Sequence, residues 1–185
     1  MIEAAIKQGQ AYDHVLIVGG GDLVIATKIL KEYPLVRKVT VCEIDPRVVE
    51  VTKKYFSFAE IVAAEIASGR LEVVIESGAT YLSKLYTDPG RHGKVGGVIV
   101  DCTDFALNED SLSSELFTPD FYKEIFHLLE SGGGFSQQIT DLVCKDEFTK
   151  RAKLGGFEGH GMGIIMAATP EYGGELPIAY CFKPP

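Results

Sequence analysis

The chain has 185 residues, 46% of them hydrophobic, which is enough to bury one substantial core and predicts a single domain over residues 1–185. A formal net charge of -8 argues against a nucleic-acid partner, because phosphate backbones are held by clustered Lys and Arg. The acidity suits a small molecule, and a cationic one in particular.

In chain order, residues 1–10 read as a helix with Ile2, Ala5 and Ile6 on one side, free either to cover the sheet or to form an interface. VLIV at 15–18 is the first strand, 24–33 a helix ending before Pro34, KVTVCEI at 38–44 the second strand, and 46–56 a helix with Pro46 in its first turn. Residues 59–67 form a helix closed by Gly69, LEVVI at 71–75 is the third strand, and 79–85 is a short helix. A loop over 87–97 precedes the fourth strand, GVIVD at 97–101. Residues 105–114 are polar and irregular, Pro119 starts a helix reaching Leu129, and Gly132 to Gly134 turn into a strand at 134–139. After a helix at 146–153, GIIMAA and PIAYCFK, separated at Pro170 and Pro177, read as an antiparallel pair.

Near-continuous apolar strands alternating with helices give an α/β fold: a Rossmann-like, doubly wound, mostly parallel sheet with a C-terminal antiparallel strand pair. Cys42, Cys102, Cys144 and Cys181 lie far apart without CxxC or Cys/His spacing, so buried reduced thiols are expected, with neither a metal site nor a disulfide scaffold. No signal peptide is apparent and no apolar run approaches ~20 residues, so a soluble, cytoplasmic protein with no membrane partner is expected.

A strand entering Gly19, Gly20 and Gly21 and then a helix offers free backbone N–H groups and a positive dipole end at the carboxyl edge of the sheet. GGGD departs from the dinucleotide pattern GxGxxG, since Leu23 and Val24 follow Asp22. Glu43 ends the second strand, where an acidic side chain takes both hydroxyls of a ribose; Asp45 is read as the N-cap of the next helix. Asp22 suits a sulfonium or amino group, or caps its helix without touching a ligand. In DCTD, Asp101 and Asp104 face the same crevice, fit to attract a polyamine and, for one of them, to accept a proton from an attacking amine. The bland alternative for Asp104 is a turn-stabilising role. Glu109 and Asp110 add acidity nearby.

Taken in order, these motifs resemble the catalytic domain of the polyamine aminopropyltransferases, the spermidine and spermine synthases. VLIVGGGD and VTVCEID resemble that family's GGGDG and CEID segments, DCTD its DSSD, LFTPDFY the stretch after its mobile loop, and PEY at 170–172 its PTY. The resemblance implies aminopropyl transfer from decarboxylated S-adenosylmethionine, a co-substrate rather than a resident cofactor, to putrescine or another polyamine, releasing methylthioadenosine. It also implies a site: Gly19, Gly20, Gly21, Asp22, Glu43, Ser77 and Gly78 for the donor, Asp101 as base, and Asp104, Tyr172 and Gln137 or Gln138 for the acceptor.

Four departures accompany the resemblance. Glu76, Ser77 and Gly78 stand where the family has GDG, so Ser77 replaces an aspartate; Leu23 replaces a glycine and is expected to put bulk at the donor pocket. The loop after Asp104 is longer and carries Phe105, and the family's N-terminal β domain is not seen, which predicts completion by another chain or a homodimer. An S-adenosylmethionine-dependent methyltransferase and a non-catalytic partner of an active subunit are the competing readings.

Overall fold

The computed structural model describes residues 1–102, 113–139, 141–169 and 174–185. The expected strands form: β1 (Val15–Gly19), β2 (Val39–Glu43), β3 (Leu71–Ile75), β4 (Val95–Asp101), β5 (Leu129–Gln138), β6 (Met162–Thr169) and β7 (Gly174–Phe182). They make one seven-stranded sheet in the order β3-β2-β1-β4-β5-β7-β6, in which β5–β7 and β6–β7 pair antiparallel and the other neighbours parallel. The helices are α1 (Ile2–Ala5), α2 (Val24–Glu32), α3 (Pro46–Tyr55), α4 (Ala59–Ala67), α5 (Gly78–Tyr86), α6 (Pro119–Leu128) and α7 (Lys145–Leu154).

Burial on both faces explains the continuous apolar runs. In β1, Leu16 and Val18 join a core with Leu82 of α5, Ile125 of α6 and Phe148 of α7. Val15 and Ile17 join the opposite core with Ile29 of α2, Val49 of α3 and Val62 of α4. Each face buries its own stripe, and the glycine turn is held at the edge between them.

Two expectations about local structure change. The helix over 1–10 shrinks to α1, because Ile6 is extended, Gly9 takes φ +79° and the Lys7 N–H donates to the Tyr12 hydroxyl at 2.8 Å. Ile2, Ala5 and Ile6 are buried on the sheet, so they cover it. Glycines permit that approach: a Cβ at Gly97 would lie 2.3 Å from Ile6 Cγ2, and one at Gly134 2.2 Å from the Ala5 carbonyl oxygen. The turn expected at Gly132 to Gly134 is instead an irregularity inside β5, whose register against β4 jumps between Val95↔Leu129 and Gly97↔Gly134.

Cys42, Cys144 and Cys181 are buried and Cys102 is half-buried. Burial pushes the Cys42 thiol up to about 12 and the Cys181 thiol up as well, so both are protonated near neutrality. No helix among the described residues is long and apolar enough to cross a membrane.

Candidate active site

The site begins with the glycines. Gly19 and Gly20 have φ of +80° and +66°, which L side chains rarely adopt, and the Gly20 N–H donates to the Asp101 carbonyl oxygen at 2.9 Å. That bond and the Gly19↔Asp101 register lock the turn after β1 to the end of β4.

Glu43 ends β2 against the same turn. Its carboxylate accepts the Gly21 N–H at 3.1 Å through Oε2 and the Asp45 N–H at 2.9 Å through Oε1. Each oxygen keeps further lone-pair capacity, so the carboxylate is oriented without being used up. Asp45 caps α3 as read from the sequence, accepting the Arg47 N–H at 2.9 Å. Sequence reasoning missed Thr52. This fully buried α3 hydroxyl lies 3.2 Å from the Gly21 carbonyl oxygen and 3.0 Å from that of Val48, bracing the turn from below. The available signal was a polar residue three positions after Val49, on the stripe of α3 that faces the core.

Asp22 takes the Val24 N–H at 3.1 Å, so one of its oxygens serves the start of α2. Its charge still reaches Asp101. Burial first, then the charges of Asp22 and Glu43, raise the Asp101 carboxyl to about 6, against the opposing Met1 ammonium. Around one glycine turn the fold therefore gathers Asp22, Glu43 and Asp101, an electrostatic trap for a cation that also keeps Asp101 near the pKa of a useful base.

Leu23 corrects an expectation. Its side chain is fully buried among the apolar residues facing α2, so it fills the core instead of the donor pocket. The backbone compensates by adopting the left-handed region at φ +58°, the conformation a glycine takes without strain. Leu23→Gly should relieve about 1 kcal/mol of strain yet lose about 2–5 kcal/mol of burial, for a net destabilisation of about 1–4 kcal/mol. Denaturant unfolding checks the sign, and a rise in adenosyl-ligand affinity in this variant would instead place the side chain in the pocket.

Gln137 is a second correction. It is fully buried, with Oε1 accepting the Tyr122 hydroxyl at 2.9 Å and Nε2 donating to the Leu116 carbonyl oxygen at 3.3 Å. Both ends of the amide are engaged in the core beneath α6. Gln138 lies one residue on and on the opposite face, half-buried; extending the Val100↔Gln137 register by one step sets it beside Asp101. Of the pair, only Gln138 is on the side of the sheet that Asp101 occupies.

Ser77 precedes α5 at the same edge of the sheet and makes no side-chain cap bond there. Gly78 is required by contact, since a Cβ would sit 2.2 Å from Val18 Cγ1. Neighbouring Glu76 donates its N–H to the Glu43 carbonyl oxygen at 3.0 Å and pairs with Lys84. Asp104, Phe105, Glu109, Asp110 and Tyr172 lie outside the described residues.

The chain is 37% identical over 160 residues to the polyamine aminopropyltransferase of Clostridium kluyveri, covering 85% of this chain and 53% of that protein. It spans about half the length, or less, of the curated relatives it matches. A spermidine synthase structure in complex with the transition-state analogue AdoDATO superposes with a TM-score of 0.69 at 25% identity, over 93% of this chain and 53% of that one. Human methyltransferase-like protein 13 in complex with SAH gives a TM-score of 0.72 at 20% identity, over 94% of this chain and 73% of that one, a likeness of fold alone. The model of the spermine/spermidine synthase domain matches residues 2–183, and with these motifs at this sheet edge the chain belongs to that family.

Proposed function

We propose that this chain transfers an aminopropyl group from decarboxylated S-adenosylmethionine to an amine of putrescine or another polyamine. The observation that carries this reading is the convergence of Asp22, Glu43 and Asp101 on one glycine turn. A sulfonium donor and a polyamine are both cationic, whereas the carboxylate of intact S-adenosylmethionine would meet like charge there.

In the proposed reaction the lone pair of the acceptor nitrogen attacks the carbon attached to the donor's sulfonium. The carbon–sulfur bond breaks with its electrons moving to sulfur, which leaves as neutral methylthioadenosine. Asp101 takes the proton that the amine gives up, and Asp22 holds the amino end of the aminopropyl group. Glu43, kept in place by two backbone N–H groups, binds the ribose hydroxyls, and Ser77 and Gly78 line the base side. Gln138, Asp104 and Tyr172 are assigned to the acceptor. Alignment of amine, carbon and leaving sulfur supplies much of the rate.

The test is formation of methylthioadenosine by the purified chain from decarboxylated donor and putrescine, followed by chromatography. Product is expected. Its absence at high enzyme concentration, with binding of both substrates intact, would favour a non-catalytic partner domain.

A further inference from the structure

The opposite edge of the sheet holds a cavity of about 510 Å³, within the range of small-molecule sites. Residues near the starts of four strands line it: His14 just before β1, Lys38 just before β2, Glu72 second in β3 and Lys94 just before β4. Tyr81 and Leu85 of α5 form its apolar wall and Arg91 its rim. Since β1 is five residues long, this cavity lies roughly 15 Å from the glycine turn and is separate from it.

We propose that this cavity is a second binding site, for a small amphipathic anion: a phosphate or carboxylate group carried on an aromatic or aliphatic body. The inference does not depend on aminopropyl transfer at the other edge.

In a chain with a net charge of -8, this wall collects Lys38, Arg91 and Lys94. Two carboxylates line the cavity with them: Glu72, paired with Lys38 at 2.8 Å, and Asp13, whose pair with Arg37 at 3.0 Å is exposed. Arg91 has only a long, exposed contact of 3.8 Å to Asp88, and Lys94 makes no ion pair among the described residues. Three cations against two carboxylates thus leave a positive excess around a cleft far larger than one inorganic ion requires.

The floor is polar and hydrogen-bonded. The buried Thr40 hydroxyl donates to Glu72 Oε2 at 3.1 Å, so the contact of 2.9 Å from His14 Nε2 to Thr40 Oγ1 is a donation from the ring. This fixes the His14 tautomer, and burial first, then the charge of Lys38, holds its pKa down to about 4. His14 is therefore neutral and its one ring N–H is taken by Thr40, so the attraction for an anion rests on Arg91 and Lys94. Tyr81 and Leu85 supply the surface against which the organic body of the ligand packs.

The test is an amide-resonance NMR titration of the full chain with phenyl phosphate, with phenol as the neutral control. Saturable shifts are expected at His14, Arg91 and Lys94 with phenyl phosphate and not with phenol. An Arg91→Ala/Lys94→Ala double variant should bind it at least about tenfold more weakly, as loss of charge-assisted hydrogen bonds implies. Both side chains are on the surface, so an unchanged spectrum of the free variant shows that it folds. The proposal is overturned if no saturable shift appears, if shifts centre on Gly19 to Gly21, if phenol binds equally well, or if the double variant keeps wild-type affinity.

Discussion

Asp101→Asn is expected to lower methylthioadenosine formation by about 10²–10⁴-fold while making the protein more stable at neutral pH. The two effects have one cause. Asp101 is half-buried beside Asp22 and Glu43, and its carboxyl is raised to about 6. The unfolded chain loses this proton near pH 4, so the folded state binds it more tightly. Stability should therefore fall as pH rises from about 4 to about 6 and stay reduced above that. At pH 7 the charged form costs about 1–3 kcal/mol, which the neutral amide avoids, so Tm should rise by several degrees. The wild-type rate should decline below about pH 6 as the base becomes protonated. Scanning calorimetry and a pH–rate profile read these separately; wild-type turnover in the Asn variant would remove Asp101 from the role of base.

Gly19→Ala is expected to be among the most destabilising single substitutions in the chain. At φ +80° an L side chain costs about 1–2 kcal/mol, and here the new Cβ would lie 2.1 Å from the Asp101 carbonyl oxygen. Backbone cannot swing aside as a side chain does. β1 and β4 must separate at the site, and the Gly20 N–H bond to Asp101 goes with them. Gly132→Ala is the matched control, because Gly132 has φ +77° with open space where the Cβ would be. Denaturant unfolding should show Gly19→Ala losing at least about 2 kcal/mol more than Gly132→Ala. Equal losses would mean the contact with β4 contributes nothing.

What the sequence made legible follows from period and motif. Strands such as VLIV and VTVCE are read from continuous apolar runs, and Glu43, Asp45 and the glycines from their place at the end of a strand or the start of a helix. What it hid depends on direction. Gln137 and Gln138 are adjacent and chemically identical, yet one step along a strand sends one into the core and the other to the opposite face, half-buried. Leu23 looked like bulk in a pocket because a one-dimensional reading does not show that its left-handed backbone turns the side chain into the core. Thr52 went unnoticed since its role requires knowing that α3 packs under the Gly21 carbonyl. The cavity around His14 and Lys94 is assembled from four separate strand starts, a relation set by sheet order and absent from any local pattern.

The central claim is that the acidic crevice around the glycine turn selects a cationic adenosyl donor. Isothermal titration of the chain with decarboxylated and with intact S-adenosylmethionine tests it directly. Tighter binding of the decarboxylated form, by about tenfold or more and reduced by Asp22→Asn, is the predicted result. Equal affinity, or preference for the intact form, would contradict it.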